Sequence, residues 1–496
     1  MMPEVKLIEV AKRLNTSFRG NGEVIVTDVT HDSRQAREGS LFVAVRGLTM
    51  DGHRFVSDVM RSGCVGIISE LPQPEDFDGI WLTVENARVA LAQAAAVINR
   101  NPSKEIKLVG ITGTNGKTTT TYLTFALAEA AGEKSAMLTT VEYRIGEKSV
   151  EAIRTTPEAS DTNRFLREAI NSGCKMATME TSSQALDLHR CDDLQFDIAV
   201  FANLTRDHLD YHLTMEKYFE AKKILFEGSL GSKPRVSVIN IDDEFGLRLS
   251  NELKVNGQKV VTFSQETNAD LTAENIVVSL IKGTSFDLKT KEENRRIVSP
   301  LVGKPHVYNM LAATATALEL GYSFESIEKG LSVCVGAPGR FERVLHDGDF
   351  AVVVDYAHSD DALLNVLKTA RELTTGRIIT VFGCGGDRDK TKRMPMGEVA
   401  GNGSDLVILT SDNPRTENPI NIIAEIEVGL KETNCPYLVI NDRREAIHQA
   451  IKKAKPNDVV LIAGKGHETY QIIGNDKFHF DDREIAKEAL MNLVDK

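Results

Sequence analysis

The sequence predicts an α/β protein of three domains, with a central parallel sheet of the P-loop type and a Rossmann-like C-terminal domain. Three observations carry that prediction. The chain has 496 residues, enough for about three domains at ~150 residues each. Short apolar runs alternate with helical segments along most of it, as in strands joined by crossover helices. Two turn-rich junctions, Asn101-Pro102-Ser103 and Ala337-Pro338-Gly339-Arg340, interrupt the alternation and set boundaries at 1–106, 107–336 and 337–496.

In the first segment the apolar runs 23–29, 41–45, 65–69 and 80–84 read as strands, and the Ala-rich stretch 87–100 as the helix that ends it. The second opens on a strand at 108–112, a Gly-rich turn and a helix beginning near Thr120, then continues as a parallel α/β sheet. In the third, the runs 350–355, 377–382, 405–410, 437–440 and 458–463 read as five further strands separated by helices.

Composition narrows the function. Hydrophobic residues make up 42% and charged residues 26%, the profile of an ordinary globular protein. A net charge of -12 argues against broad binding to nucleic acid or a membrane surface, so anionic ligands have to be met by a local basic pocket. The six cysteines, at 64, 174, 191, 334, 384 and 435, form no CxxC pair and read as free thiols rather than a zinc site. The N-terminus is amphipathic without a signal-type apolar region, and no apolar run approaches ~18 residues, so a cytoplasmic protein without membrane insertion is expected.

Gly110-Ile111-Thr112-Gly113-Thr114-Asn115-Gly116-Lys117-Thr118-Thr119 lies between a strand and a helix. Backbone N–H groups in such a turn cradle phosphate oxygens, Lys117 can reach the terminal phosphates, and the Thr118 hydroxyl can bind Mg²⁺. Ile111 stands at the first glycine position of the usual phosphate-loop pattern, which points away from common kinases and GTPases. Downstream, an apolar strand ends in Glu180, where a carboxylate can hold Mg²⁺ directly or through water. The segment Asn203-Leu204-Thr205-Arg206-Asp207-His208-Leu209-Asp210-Tyr211-His212 gathers ionisable groups after another strand and marks a site. Read by themselves, Lys222 and Lys223 are a solvated pair on a helix at 215–226.

The phosphate loop, Glu180-Thr181-Ser182-Ser183, the 203–212 segment, Phe219-Glu220-Ala221-Lys222 and Asp355-Tyr356-Ala357-His358 together resemble the Mur ligase family of cell-wall enzymes, over nearly the whole chain. Asp32-Ser33-Arg34 and Gly39-Ser40-Leu41-Phe42-Val43-Ala44 resemble the uridine-binding domain of the ligase that adds the third amino acid of the stem peptide. Folylpolyglutamate synthetase shares the core fold but lacks that domain. The resemblance implies ATP and Mg²⁺ as cofactors. Gly113, Thr114, Asn115, Gly116, Lys117, Thr118 and Thr119 would then hold the nucleotide, with Asn309, Arg340, Asp355 and His358 around it. Arg340 and His358 would reach over from the C-terminal domain.

The resemblance further implies that Lys222 is carbamylated and joins Thr118, Glu180 and His208 as a metal ligand. Thr155, Thr156, Ser182 and Arg190 match positions that grip the muramoyl dipeptide, and Ser33 a uridine contact. Where the family often carries His or Gln near the uracil and dipeptide, this chain has Leu48, Leu188 and Gln184. Asp412-Asn413-Pro414-Arg415 resembles the signature of the diaminopimelate-adding members, and Arg388, Gly464 and Glu468 match their other contacts to that amino acid. A guanidinium such as Arg415 suits the distal carboxylate that distinguishes diaminopimelate from lysine.

The expected activity is ATP-dependent ligation of meso-diaminopimelate to UDP-N-acetylmuramoyl-L-alanyl-D-glutamate through an acyl phosphate, in peptidoglycan biosynthesis, by a monomer. A P-loop kinase or ATP-driven switch would need an Asp-ending metal strand and no amino-acid pocket. A UDP-sugar sensor would need no metal cluster.

Overall fold

A computed structural model describes residues 4–47 and 50–494, so Leu48 lies outside the described residues. The fold divides into two compact units. One gathers the residues up to Thr272 with Lys289–Glu293 and Tyr308–Gly330; the other gathers Ala273–Leu288, Asn294–Val307 and the residues from Leu331 onward.

Among the described residues the first unit contains a four-stranded N-terminal sheet, a central sheet and a small antiparallel pair of strands. The N-terminal one has four parallel strands, Asp28–Thr30, Ser40–Ala44, Gly66–Ser69 and Trp81–Thr83, paired in chain order. The single strand expected at 23–29 is split. Ile25–Val26 pairs antiparallel with Val5–Lys6, while the Thr27 amide donates to the Gly39 carbonyl and turns the chain into the four-stranded sheet. Helix Ala87–Ile98 starts on Asn86, whose side chain accepts the Arg88 and Val89 amides, and buries its Ala and Leu face in the same core. Asp28 ties this sheet to the central segment. It is 2% exposed and accepts from Arg37 at 2.7 Å and from Arg164, on helix Ala159–Asn171, at 2.8 Å.

The central sheet runs in the spatial order Ser135–Leu138, Met176–Glu180, Lys107–Thr112, Ile198–Phe201, Val236–Asn240, Val260–Ser264, all parallel. It is not parallel throughout. Glu142–Ile145 turns back on Ser135–Leu138 and forms an antiparallel hairpin with Lys148–Glu151, because a tight turn at Gly146, φ 55°, leaves no room for a crossover helix. Lys107–Thr112 lies between Met176–Glu180 and Ile198–Phe201, so the three loops that leave these strands sit side by side.

The second unit holds a sheet in the order Glu342–Arg343, Ala351–Asp355, Val459–Ala463, Ile378–Phe382, Leu406–Leu409, Tyr437–Val439, parallel except for its first strand. The five expected strands are all present, with apolar clusters on both faces. Val459–Ala463, Ile378–Phe382 and Leu406–Leu409 are neighbours, which brings the loops after them, at 464–468, 383–389 and 410–415, to one edge.

Candidate active site

The phosphate loop starts its helix earlier than expected, at Lys117 rather than near Thr120. Gly116 is the reason. At φ 84° it caps the helix directly, and a Cβ there would sit 2.3 Å from Asn309 Oδ1. The first-turn N–H groups of a helix have no carbonyl a turn earlier to bond, so a helix that starts directly on this loop suits an anion. The Asn115 amide donates to Asn203 Oδ1 at 2.9 Å and the Thr114 amide to the Asn203 carbonyl at 3.0 Å, which fixes the loop against the 203–212 segment. Lys117 Nζ donates to the carbonyls of Gly113 and Thr114, both at 2.9 Å. Thr120 Oγ1 donates to Asn309 Oδ1 at 3.3 Å, so the expected nucleotide residue Asn309 stands beside the loop.

Glu180 ends its strand with 1% exposure. Burial pushes its carboxyl above the usual carboxylate range, opposed by nearby Lys117 and by hydrogen bonds from Thr140 and Thr118. The Thr140 amide reaches Oε1 at 2.8 Å. Lys222, on helix Met215–Glu227, is not the solvated residue its helix suggested. It is 1% exposed, donates to the Gly113 carbonyl at 2.9 Å, and lies 4.6 Å from the Tyr218 ring centre. Burial, reinforced by Lys117, holds its ammonium well below the usual lysine range. Lys223, by contrast, turns outward and pairs with Glu227 at 2.9 Å and Glu252 at 3.0 Å.

Glu180 and the Thr118 hydroxyl, joined by a hydrogen bond, are hard oxygen donors, a set that fits Mg²⁺. An ammonium at Lys222 does not fit a cation there, but a carbamate on the same nitrogen does. His208, at φ 52°, stands half-exposed with Nε2 3.6 Å from Asp207 and its ring edge-on to Tyr218 at 5.9 Å. Among the described residues, no three His, Cys, Asp or Glu side chains converge on one point.

A second cluster surrounds the turn after the Glu180 strand. Thr156 Oγ1 donates to the Glu180 carbonyl at 2.9 Å and accepts from the Ser182 amide at 3.0 Å, and Thr155 Oγ1 lies 3.1 Å from Thr140 Oγ1. Arg190 reaches the same spot: its Nη1 donates to the Thr156 carbonyl at 3.4 Å, and its Nε lies 3.0 Å from Glu158. Thr155, Thr156, Ser182 and Arg190 are thus brought together. Ser33 lies apart, half-buried at the head of the Ser33–Gln35 turn that Asp32 caps.

In the second unit a cavity of about 420 Å³ opens between the three strand-end loops, lined by Arg388, Asp412, Asn413, Arg415, Gly464 and Glu468 among others. All but one of the residues expected to hold the amino acid line it; Pro414 completes the loop, and its carbonyl would lie 1.9 Å from a Cβ on Gly386. Arg415 adopts φ 52° and its Nη1 donates to the Gly386 carbonyl at 2.8 Å; it makes no ion pair among the described residues. His358 and Tyr356 line the same cavity, with His358 Nδ1 3.0 Å from the Tyr356 carbonyl. Arg340 stacks over the Tyr356 ring at 5.1 Å. Asp355 accepts the Phe341 amide at 2.6 Å and the Ala357 amide at 2.8 Å, and burial raises its carboxyl against the pull of those bonds, Arg340 and His358.

Sequence reading missed Lys465, which is fully buried behind Glu468, and Lys392 and Tyr470 on the cavity wall. Lys465 carried a signal, its place between Gly464 and Glu468; Lys392 and Tyr470 carried none.

Known proteins share this architecture. The profile of the Mur ligase middle domain matches residues 111–317, and that of the Mur ligase glutamate ligase domain matches 339–466. A protein of Solibacter usitatus named UDP-N-acetylmuramoyl-L-alanyl-D-glutamate--2,6-diaminopimelate ligase is 46% identical over 94% of this chain and 93% of its own. One of the same name from Geobacter metallireducens is 45% identical over 99% of both. A solved structure bearing that name superposes with a TM-score of 0.75 at 31% identity, covering 99% of this chain and 100% of the other. With sequence identity of this extent spanning both the phosphate loop and the cavity, the chain belongs to the Mur ligase family.

Proposed function

We propose that this chain joins meso-diaminopimelate to UDP-N-acetylmuramoyl-L-alanyl-D-glutamate in peptidoglycan synthesis, converting ATP to ADP and phosphate. The cavity of the second unit carries the specificity: it offers carboxylates, Asp412 and Glu468, together with guanidiniums, Arg388 and Arg415, to one ligand. A side chain ending in both an ammonium and a carboxylate satisfies both sets, and lysine satisfies one. The names of the relatives support the same reading.

A carboxylate cannot acylate an amine without a leaving group, so the D-glutamyl γ-carboxylate first attacks the terminal phosphorus of ATP. The loop amides and Lys117 hold the triphosphate, and Thr155, Thr156, Ser182 and Arg190 hold the dipeptide. Mg²⁺, held by Thr118, Glu180, His208 and a carbamate on Lys222, would supply charge neutralisation at the phosphoryl group. The incoming amine, oriented by the cavity, then attacks the acyl phosphate and expels phosphate. Asn309, Arg340, Asp355 and His358 serve the nucleotide, and Ser33 the uridine. In this reading residues 1–106 bind the UDP-sugar, 107–336 activate it and 337–496 carry the amino acid, with a monomer acting in the cytoplasm. No helix among the described residues is long and apolar enough to cross a membrane.

Arg415→Ala removes the partner of the distal carboxylate. Truncating one member of a buried charge pair costs roughly 2–5 kcal/mol, so kcat/KM for meso-diaminopimelate should fall about thirtyfold or more. Steady-state kinetics with varied amino acid check this, and an unchanged kcat/KM refutes the role. L-Lysine should be a poor substrate of the native enzyme, since it leaves Arg415 desolvated without a counter-charge.

Gly386→Ala should also weaken amino-acid use. A Cβ at Gly386 would lie 1.9 Å from the Pro414 carbonyl, forcing apart the two loops that carry Arg388 and Arg415. A KM for the amino acid that rises while the KM for ATP holds is the expected result.

A further inference from the structure

The acids of the cavity are braced from behind by a cation that no ligand can reach. Lys465 has a side-chain exposure of 0%, yet its Nζ donates to Asn413 Oδ1 at 3.1 Å and to Glu468 Oε2 at 3.3 Å. Both acceptors belong to residues on the cavity wall. The amide of Asn413 is oriented by the same contact. Its Oδ1 accepts from Lys465 and from the Ile472 amide at 2.9 Å, which turns Nδ2 toward Glu468 Oε2 at 2.8 Å. Oε2 of Glu468 is thereby engaged by two donors from the protein, which leaves Oε1 as the oxygen available to a ligand. A buried ammonium is costly unless its donors are satisfied. Here they are satisfied by two groups that face the amino-acid cavity, with the Tyr470 ring 5.6 Å away.

We infer that Lys465 is a positioning residue for amino-acid selection, fixing Glu468 as the acceptor for the distal ammonium of the incoming amino acid and setting the orientation of Asn413. The inference rests on the cavity's being the amino-acid site proposed above. Lys465 itself touches no reacting atom; it acts through the two side chains it holds. Without it, Glu468 Oε2 keeps only Asn413 Nδ2, and the Asn413 amide is held in its orientation by the Ile472 amide alone.

The test compares wild type, Lys465→Met, Glu468→Gln and the double variant, with meso-diaminopimelate, ATP and the UDP-dipeptide each varied in turn. Lys465→Met, similar in length and uncharged, should raise the KM for diaminopimelate at least tenfold and leave the KM for ATP within about twofold. The double variant should be little worse than Glu468→Gln, because the two residues act as one unit. Lys465→Gln, whose amide can still donate to both partners, should recover part of the loss. An unchanged KM for diaminopimelate overturns the inference, as does an equal rise in all three KM values, strict additivity in the double variant, or failure of both the Met and Gln variants to fold, which assigns Lys465 to the scaffold. If wild type itself fails to use diaminopimelate, the assignment of the cavity falls first, and that outcome is read from the wild-type arm alone.

Discussion

Lys117→Ala should abolish ligation while the protein stays folded. The ammonium is held by the Gly113 and Thr114 carbonyls, each at 2.9 Å, so it is already placed over the loop that would cradle the triphosphate. The Gly113 carbonyl keeps its hydrogen bond from Lys222 at 2.9 Å when the Lys117 ammonium is removed, so the substitution costs the fold little. Its removal costs the reaction much. A preorganised charge aimed at a transferring phosphoryl group is worth roughly 3–4 kcal/mol, about two to three orders of magnitude in kcat. Phosphate release in the presence of all substrates, alongside a thermal melt, decides the matter. Near-normal turnover by a folded variant contradicts the assignment of the loop.

Lys222→Ala should cripple the enzyme nearly as far, with partial recovery when a short carboxylic acid is supplied. Burial and the neighbouring Lys117 hold the Lys222 ammonium below the usual lysine range, which favours the neutral amine over the cation. A neutral amine is the form that adds CO₂. The product carries a negative charge, which reverses the electrostatic conflict with Lys117. Mass measurement on native protein should find the added carboxyl group on the peptide that contains Lys222. Full activity with an unmodified Lys222 in the presence of CO₂ would refute the role.

The sheets and the loops at their ends were legible because apolar runs of the right length alternate with helices, and a phosphate loop follows one of them. The five C-terminal strands appear within a residue or so of where their apolar runs end. The hairpin beside Ser135–Leu138 was not legible, since Glu142–Ile145 and the edge strand Lys148–Glu151 carry few apolar residues and their pairing depends on a turn at Gly146. The helix start at Lys117 was missed because it depends on the positive φ of Gly116 against Asn309, a residue distant in sequence.

The site shows the same division. Arg388, Asp412, Asn413, Arg415, Gly464 and Glu468 lie in three stretches of chain, and a shared cavity follows only from the order in which three strands pair. Lys222 illustrates the limit of local reading: adjacent lysines on one helix look equally solvated, yet one faces the core and the other a ring of glutamates. Helical spacing alone could not separate them, because the neighbour that buries Lys222 is the Gly113 loop.

The most direct test of the central claim is phosphate release from ATP by the purified enzyme, measured with the UDP-dipeptide and each candidate amino acid, separately and together. The account predicts sustained release only when the UDP-dipeptide and meso-diaminopimelate are both present, with L-lysine giving a small fraction of that rate. Sustained release without an amino acid, or a rate with lysine equal to or above that with diaminopimelate, would contradict it.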